Sequence, residues 1–76
     1  MHAAKLSNSP RLQRVLSVLW SGEWVTTRSI ARRADVCAVN TAVDELRDEK
    51  NGFIIDCRQI KTSFTDPGYF EYRLIH

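Results

Sequence analysis

The sequence lacks the features that mark membrane proteins, secreted proteins and zinc proteins. No apolar run approaches the roughly 20 residues of a membrane-spanning helix, and residues 1–9 are too short and too polar for a secretory signal. A cytoplasmic location, where thiols stay reduced, is therefore expected. The two cysteines, Cys37 and Cys57, lie far apart in the sequence and match no zinc-ligand spacing. We accordingly predict neither a metal site nor a disulfide.

The residue patterns of common catalytic sites are absent as well. The only histidines, His2 and His76, lie at the ends of the chain, so a histidine-based acid–base pair is not expected. There is neither a glycine-rich phosphate loop nor a nucleophile elbow. An acidic cluster at residues 44–49 is interpreted as a solvated helix face, because charge runs on helices usually are. We predict that the protein is not an enzyme and uses no cofactor.

What the chain does have is the composition of one small globular domain. Its 76 residues leave little room for a second core, and 43% of them are hydrophobic. A formal net charge of +2 permits contact with phosphates without requiring it. Three arginines crowd the second predicted helix, whereas the acidic cluster ends the third, so the two signs of charge are separated along the chain.

Capping residues and apolar spacing predict the first helix. Residues 1–8 are expected to form a disordered tail ahead of a domain at residues 9–76. Ser9 caps free N–H groups, Pro10 suits the first helical position, and Gly22 suits the C-terminal cap. The apolar residues between them repeat at helical spacing and form one stripe of Leu12, Val15, Leu16 and Leu19.

Two further helices follow, joined by a tight turn. Thr26 or Thr27 caps the second helix, and Asp35 occupies the turn because aspartate tolerates left-handed backbone angles. The third helix is predicted over residues 37–50, with Gly52 as its cap. Its buried stripe is Val39, Val43 and Leu46.

The last third of the chain predicts a β-hairpin. Residues 53–58 and 70–74 each alternate between apolar and polar positions, as half-buried strands do. Between them, residues 62–68 have the composition of a turn. Trp20 and Trp24, which flank the end of the first helix, are interpreted as core residues because tryptophan is highly buried on average.

The order helix, turn, helix, hairpin is that of winged-helix domains, most of which bind nucleic acid. Over residues 12–74 the chain resembles small winged-helix proteins of bacteriophages, and more loosely the DNA-binding domain of biotin repressors. The segments that carry the resemblance are residues 13–19, 25–27, 36–47, 52–55 and 72–74. The resemblance implies an α+β fold of three helices followed by a two-stranded C-terminal wing. It also implies a phage or prophage transcriptional regulator, or an accessory recombination or replication factor, in the cytoplasm or nucleoid of a bacterial host.

The chain departs from related patterns at two places. Counting from Ala31, older helix–turn–helix regulators have buried aliphatic residues where this chain has Thr41 and Asp44. The phage proteins often have an arginine where this chain has Ala42, which removes a phosphate or base contact. Restoring an arginine at that position is expected to raise DNA affinity if the position faces the DNA.

If the domain binds duplex DNA, the N-terminal half of the third helix enters the major groove. The base-reading candidates are Ala38, Asn40 and Thr41. The phosphate-binding candidates are Arg28, Arg32 and Arg33. The candidates on the wing are Arg58, Lys61 and Phe64. The competing interpretations are that Asn40 and Thr41 are only solvated, and that Phe64 folds back on its own hairpin.

A protein partner is the alternative to DNA. Asp44 and Asp48 would repel phosphates if the whole third helix lay in the groove, so a module that binds a host polymerase or replication protein remains an open interpretation. A homodimer formed through the wing or through residues 69–74 is a further expectation. A continuous positive strip across Arg28, Arg32 and Arg58 would favour DNA, and an exposed aromatic cluster would favour a protein.

Overall fold

The computed structural model of the protein describes residues 6–65 and 68–76. Within these residues, three α-helices and a three-stranded antiparallel sheet form an α+β fold whose layout is compatible with a winged helix. In chain order the elements are α1 (Pro10–Leu19), β1 (Val25–Thr26), α2 (Thr27–Ala34), α3 (Val39–Arg47), β2 (Ile54–Ile60) and β3 (Tyr69–Ile75). Two of the predicted turn residues, Asp66 and Pro67, lie outside the described residues.

Local capping sets the starts of α1 and α2 as predicted. The Ser9 hydroxyl accepts a hydrogen bond from the Leu12 N–H at 3.2 Å, and the Thr26 hydroxyl accepts one from the Ser29 N–H at 3.1 Å. Asp35 ends α2 with a φ of 53°, the left-handed conformation that its side chain tolerates. These three features depend on neighbouring residues only, which is why the sequence predicts them.

The third helix is shorter than the prediction of residues 37–50. It ends at Arg47 because Asp48 adopts an extended ψ of 145°, and the N–H groups of Asn51 and Gly52 then both bond to the Asp48 carbonyl. Gly52 has a φ of +72° and forms the predicted C-terminal cap just beyond this turn. The helix starts at Val39, two residues later than predicted.

A third strand corrects the prediction of a two-stranded wing. The sheet has the order β1-β3-β2, with Val25 opposite Tyr72 and Thr26 opposite Glu71. The partners of β1 are more than 40 residues away in the sequence, so no local pattern predicts that this strand joins the sheet. The short β1 joins the start of α2 to the middle of β3.

The core lies between the three helices and one face of the sheet. Its fully buried side chains include Leu12, Leu19, Ile30, Leu46, Val15, Val39 and Val43, so the predicted stripes are confirmed except for Leu16, which is half-buried. Ala42 is 0% exposed and belongs to this core, which removes it from any surface that could face DNA. The prediction that Trp20 is a core residue is wrong, since the residue is 58% exposed.

The N-terminal boundary of the fold lies before Ser9. Leu6–Asn8 forms a short 3₁₀ helix within the tail predicted at residues 1–8. The Leu6 N–H donates to Asn51 Oδ1 at 2.9 Å, and the Leu6 carbonyl accepts from Gln13 Nε2 at 3.0 Å. Among the described residues, no helix has the length and apolar character needed to cross a membrane.

Candidate nucleic-acid interface

An open groove of about 480 Å³ separates the helices from the hairpin of β2 and β3. The residues that line its helical side are Thr27, Arg28, Ala31, Cys37, Val39 and Asn40. The residues that line its hairpin side are Cys57, Tyr69, Phe70 and Tyr72. The predicted phosphate contact Arg28 and the predicted base contact Asn40 therefore share one groove. Thr41 and Ala38 are exposed beside Asn40 at the start of α3.

The start of α3 differs from the starts of α1 and α2. Its N-cap residue, Ala38, has no side chain able to accept a hydrogen bond, whereas serine and threonine cap the other two helices. The first intrahelical bond runs from the Ala42 N–H to the Ala38 carbonyl at 3.1 Å. The N–H groups of the first three residues of α3 therefore have no partner within the helix. Such a helix start is suited to an anion, because its N–H groups and its dipole both favour negative charge.

The hairpin side of the groove is apolar and aromatic. Tyr69 and Phe70 are 46% and 48% exposed, and the Phe70 carbonyl accepts a hydrogen bond from the Thr27 hydroxyl at 3.2 Å. Burial raises the pKa of the Tyr72 hydroxyl above its ordinary value, and the adjacent Cys57 raises it further. Tyr72 therefore stays neutral at physiological pH.

The eight arginines, all within the described residues, divide into two groups. Five of them bond to other elements of the fold: Arg11, Arg14, Arg47, Arg58 and Arg73. For example, Arg14 Nε donates to the Ala34 carbonyl at 2.7 Å and so joins α1 to the end of α2. The remaining three are Arg28, Arg32 and Arg33, the predicted phosphate contacts on α2. Each is exposed and makes no hydrogen bond or ion pair with any described residue.

Most of the acidic side chains at the end of α3 form ion pairs or hydrogen bonds within the fold. Glu45 forms an ion pair with Arg11 on α1 at 2.8 Å, and Asp44 lies 3.5 Å from Arg47. Asp48 Oδ1 accepts a hydrogen bond from the Lys50 N–H in the turn that ends the helix. The cluster is thus partly neutralised and directed toward α1 and the C-terminal turn. The free arginines lie on the preceding helix.

The three wing candidates do not form one surface with the groove. Cys57 lines the groove, and because side chains alternate along a strand, Arg58 points to the other face of the sheet. There its guanidinium stacks 4.1 Å from the ring centre of Trp24 and pairs with Glu71 at 2.8 Å. The expected strip across Arg28, Arg32 and Arg58 is therefore not continuous.

The other two wing candidates, Lys61 and Phe64, are exposed at the end of the hairpin. Phe64 is 101% exposed, so it does not fold back on the hairpin. Trp24 is half-buried, and its ring lies between Arg58 and Arg73, whose guanidinium is 4.6 Å from the ring centre. Trp24 therefore covers the outer face of the sheet and does not fill the core.

The residues that build the hairpin wall of the groove are not among the site residues that the sequence predicts. The sequence patterns predict Tyr69 only as part of the segment at residues 69–74, and they predict Cys57 only as a cysteine without a zinc-ligand spacing. The alternation of β2 and β3 contains part of the missing signal, since Cys57, Phe70 and Tyr72 share a strand face. The approach of that face to α2 is a long-range contact with no local signature.

Comparisons of the chain with protein-family models, with curated proteins and with solved structures find no significant match. The resemblance to phage winged-helix proteins thus stays an expectation from sequence motifs. Function is inferred from the site alone, because a fold layout does not specify a function.

Proposed function

We propose that this protein is a winged-helix protein that binds duplex DNA through α2, the start of α3 and the adjoining groove. The observation that carries the proposal is the division of the arginines. Five of the eight hold the fold together, whereas Arg28, Arg32 and Arg33 on one helix are exposed and have no ion pair with a described residue. Arginine side chains left uncompensated on one surface are suited to bind a polyanion.

The start of α3 supplies the second part of the interface. Its uncapped N–H groups are available to a backbone phosphate, and Asn40 and Thr41 are exposed on its first turn. Asparagine can pair with the N6 and N7 atoms of adenine, and threonine offers a hydroxyl and a methyl group to a base edge. In this arrangement the helix enters the major groove by its N-terminal tip.

This mode of entry also reduces the charge conflict in α3. The ion pairs of Glu45 with Arg11 and of Asp44 with Arg47 lower the negative charge at the far end of the helix. A tip-first approach keeps that end away from the phosphates. Regulation of transcription, and an accessory role in recombination or replication, are the uses of such binding that the phage resemblance favours.

Titration of random-sequence duplex with wild-type protein at several salt concentrations tests the proposal. We expect binding at low salt that weakens steeply as salt is added, with log K falling by about 0.9 per unit of log salt for each phosphate contacted. Fluorescence anisotropy of labelled duplex gives both the affinity and the slope. Absence of binding at low salt would refute DNA binding and favour a protein partner.

Asn40→Ala is expected to reduce sequence preference without reducing general affinity. The substitution removes a bidentate base contact, which costs about 1–3 kcal/mol on the preferred site, and leaves phosphate contacts in place. Selection of sites from random duplex with both proteins, followed by affinity measurements, checks this. Ser17→Ala, at an exposed position of α1 that does not line this groove, is the control, and we expect it to change neither the selected sequence nor the affinity. Identical selected sequences from wild type and Asn40→Ala would show that Asn40 does not read bases.

A protein partner is the second candidate function, and the observation that favours it is an exposed tryptophan directly after the end of α1. Trp20 is 58% exposed and borders a shallow apolar groove with Leu6 and Leu16. The Trp20 ring meets His76 edge to face, with ring centres 4.9 Å apart. If wild-type protein fails to bind DNA, this face is the first surface to mutate in a search for a host polymerase or replication partner.

A further inference from the structure

The groove between the helices and the hairpin has an aromatic wall that the fold leaves exposed. Phe70 lies on the inner face of β3 together with Tyr72, and Tyr69 borders the groove at the start of the same strand. The Thr27 hydroxyl donates to the Phe70 carbonyl at 3.2 Å, which ties this wall to the start of α2. The groove of about 480 Å³ is within the range of roughly 300–1,000 Å³ that is typical of small-molecule sites.

The helical wall of this groove combines apolar side chains with one uncompensated positive charge. Ala31 and Val39 supply apolar surface, and Arg28 stands beside them. Arg28 makes no ion pair or hydrogen bond with a described residue. Together with Tyr69 it also borders a second, smaller cavity of about 280 Å³. Aromatic and apolar walls beside a free guanidinium suit an occupant that has a planar ring at one end and an anionic group at the other.

A nucleotide has both of these properties, because each base is linked to a phosphate. An apolar side chain of a protein would also cover the aromatic wall, but it would desolvate Arg28 without giving the guanidinium a partner, which is unfavourable. Arg32 lies one helical turn from Arg28, and Arg33 follows it. The positive surface of α2 therefore extends beyond what one free nucleotide needs, which favours a nucleotide within a strand.

We propose that the groove holds one unstacked nucleotide of DNA, with its base against Phe70 and its phosphate at Arg28. This inference rests on the proposed DNA binding and adds the form of DNA that the protein prefers. Aromatic side chains stack on any base, since every base has a π-face. A base within intact duplex must first be extracted, which costs stacking and pairing energy, whereas an unpaired base avoids most of that cost. The protein is therefore expected to prefer DNA that contains an unpaired nucleotide.

Fluorescence anisotropy with three labelled duplexes of the same sequence tests this preference. The first duplex is intact, the second carries one extra thymine as a bulge, and the third carries the same extra backbone unit without a base. The bulge without a base is the matched control, because it reproduces the backbone but offers nothing to stack. Wild-type protein is expected to bind the thymine bulge about tenfold more tightly than the bulge without a base.

Substitution of Phe70 tests whether the groove holds the base. Phe70→Leu keeps an apolar side chain but removes the ring, so it should abolish the difference between the two bulges. Its affinity for intact duplex should stay within about twofold of wild type, because the phosphate contacts remain. Phe64→Leu makes the same change at an exposed position outside the groove and should alter neither affinity. Circular dichroism checks the fold of each variant.

Phe70→Trp gives a second readout that does not depend on affinity. The new indole retains a ring for stacking, so this variant should keep the preference for the thymine bulge. Stacking of the thymine on the indole should quench its fluorescence, and the bulge without a base should not. Wild-type protein should show no such difference, because Trp20 and Trp24 do not line the groove. Should Phe70→Leu not fold, this quenching decides.

The results that would overturn the inference differ from those that would overturn DNA binding. Equal wild-type affinities for the two bulges, with intact duplex also bound, would exclude the nucleotide site and leave duplex binding intact. A tenfold difference that persists in Phe70→Leu would mean that the base binds elsewhere. Displacement of the bulged duplex by an equal concentration of thymidine monophosphate would mean that the groove takes a free nucleotide. Failure to bind any of the three duplexes would refute the proposed DNA binding, and the inference with it.

Discussion

Replacing Arg28, Arg32 and Arg33 together by alanine is expected to abolish most of the affinity for duplex DNA. These side chains are exposed and have no ion pair with a described residue, so their loss leaves the fold intact. Hydrogen bonds to charged groups contribute about 1.5–3 kcal/mol, so we expect roughly a tenfold loss or more for each arginine that contacts a phosphate. The salt slope should fall by about 0.9 per contact.

The control for this prediction is loss of charge at another place. Lys50→Ala removes one positive charge in the turn beyond α3, and its effect measures the contribution of net charge alone. The single variant Arg28→Ala removes one positive charge within the groove. Because Lys50→Ala and Arg28→Ala each remove one charge, their effects on DNA affinity can be compared directly. Equal effects of Lys50→Ala and Arg28→Ala on affinity would mean that α2 is not the phosphate-binding surface. Thermal unfolding of every variant confirms that the fold persists.

Ala42→Arg is expected to destabilise the protein severely. Ala42 is 0% exposed and packs within the core cluster, so an arginine there buries a charge without a partner and forces the packing apart. The loss should be about 3 kcal/mol or more, a large fraction of the stability of a small domain. Urea unfolding followed by tryptophan fluorescence measures it. The phage-like arginine therefore cannot be restored at this position.

The adjacent position provides the matched variant. Thr41 is exposed on the first turn of α3, so Thr41→Arg should leave the stability within about 0.5 kcal/mol of wild type. If α3 faces DNA, the same substitution raises general affinity by adding a positive charge. Equal stability of Ala42→Arg and Thr41→Arg would contradict the position of α3 in the fold.

The candidate site was partly predictable from the sequence. Arg28, Arg32 and Asn40 follow from helix boundaries and helical spacing, because both depend on short-range geometry. The burial of Ala42 was also within reach, since it stands three residues after Val39 and so falls on the same face. Arg58 was assigned to the wing correctly but to the wrong surface. The alternation of apolar and polar residues along β2 could be predicted from the sequence. The stacking of Arg58 on Trp24 and its ion pair with Glu71 could not.

Local chemistry in the sequence determined where the helices begin and turn. A serine before a proline, a threonine cap and an aspartate that accepts left-handed angles act through bonds to residues fewer than five positions away. Only the tertiary structure decided which arginines are free, that Trp20 is exposed, and that Val25 joins the sheet opposite Tyr72. Each of these outcomes depends on groups that are distant in sequence. Their contact depends on how the helices and the sheet pack together, and no local pattern encodes that packing.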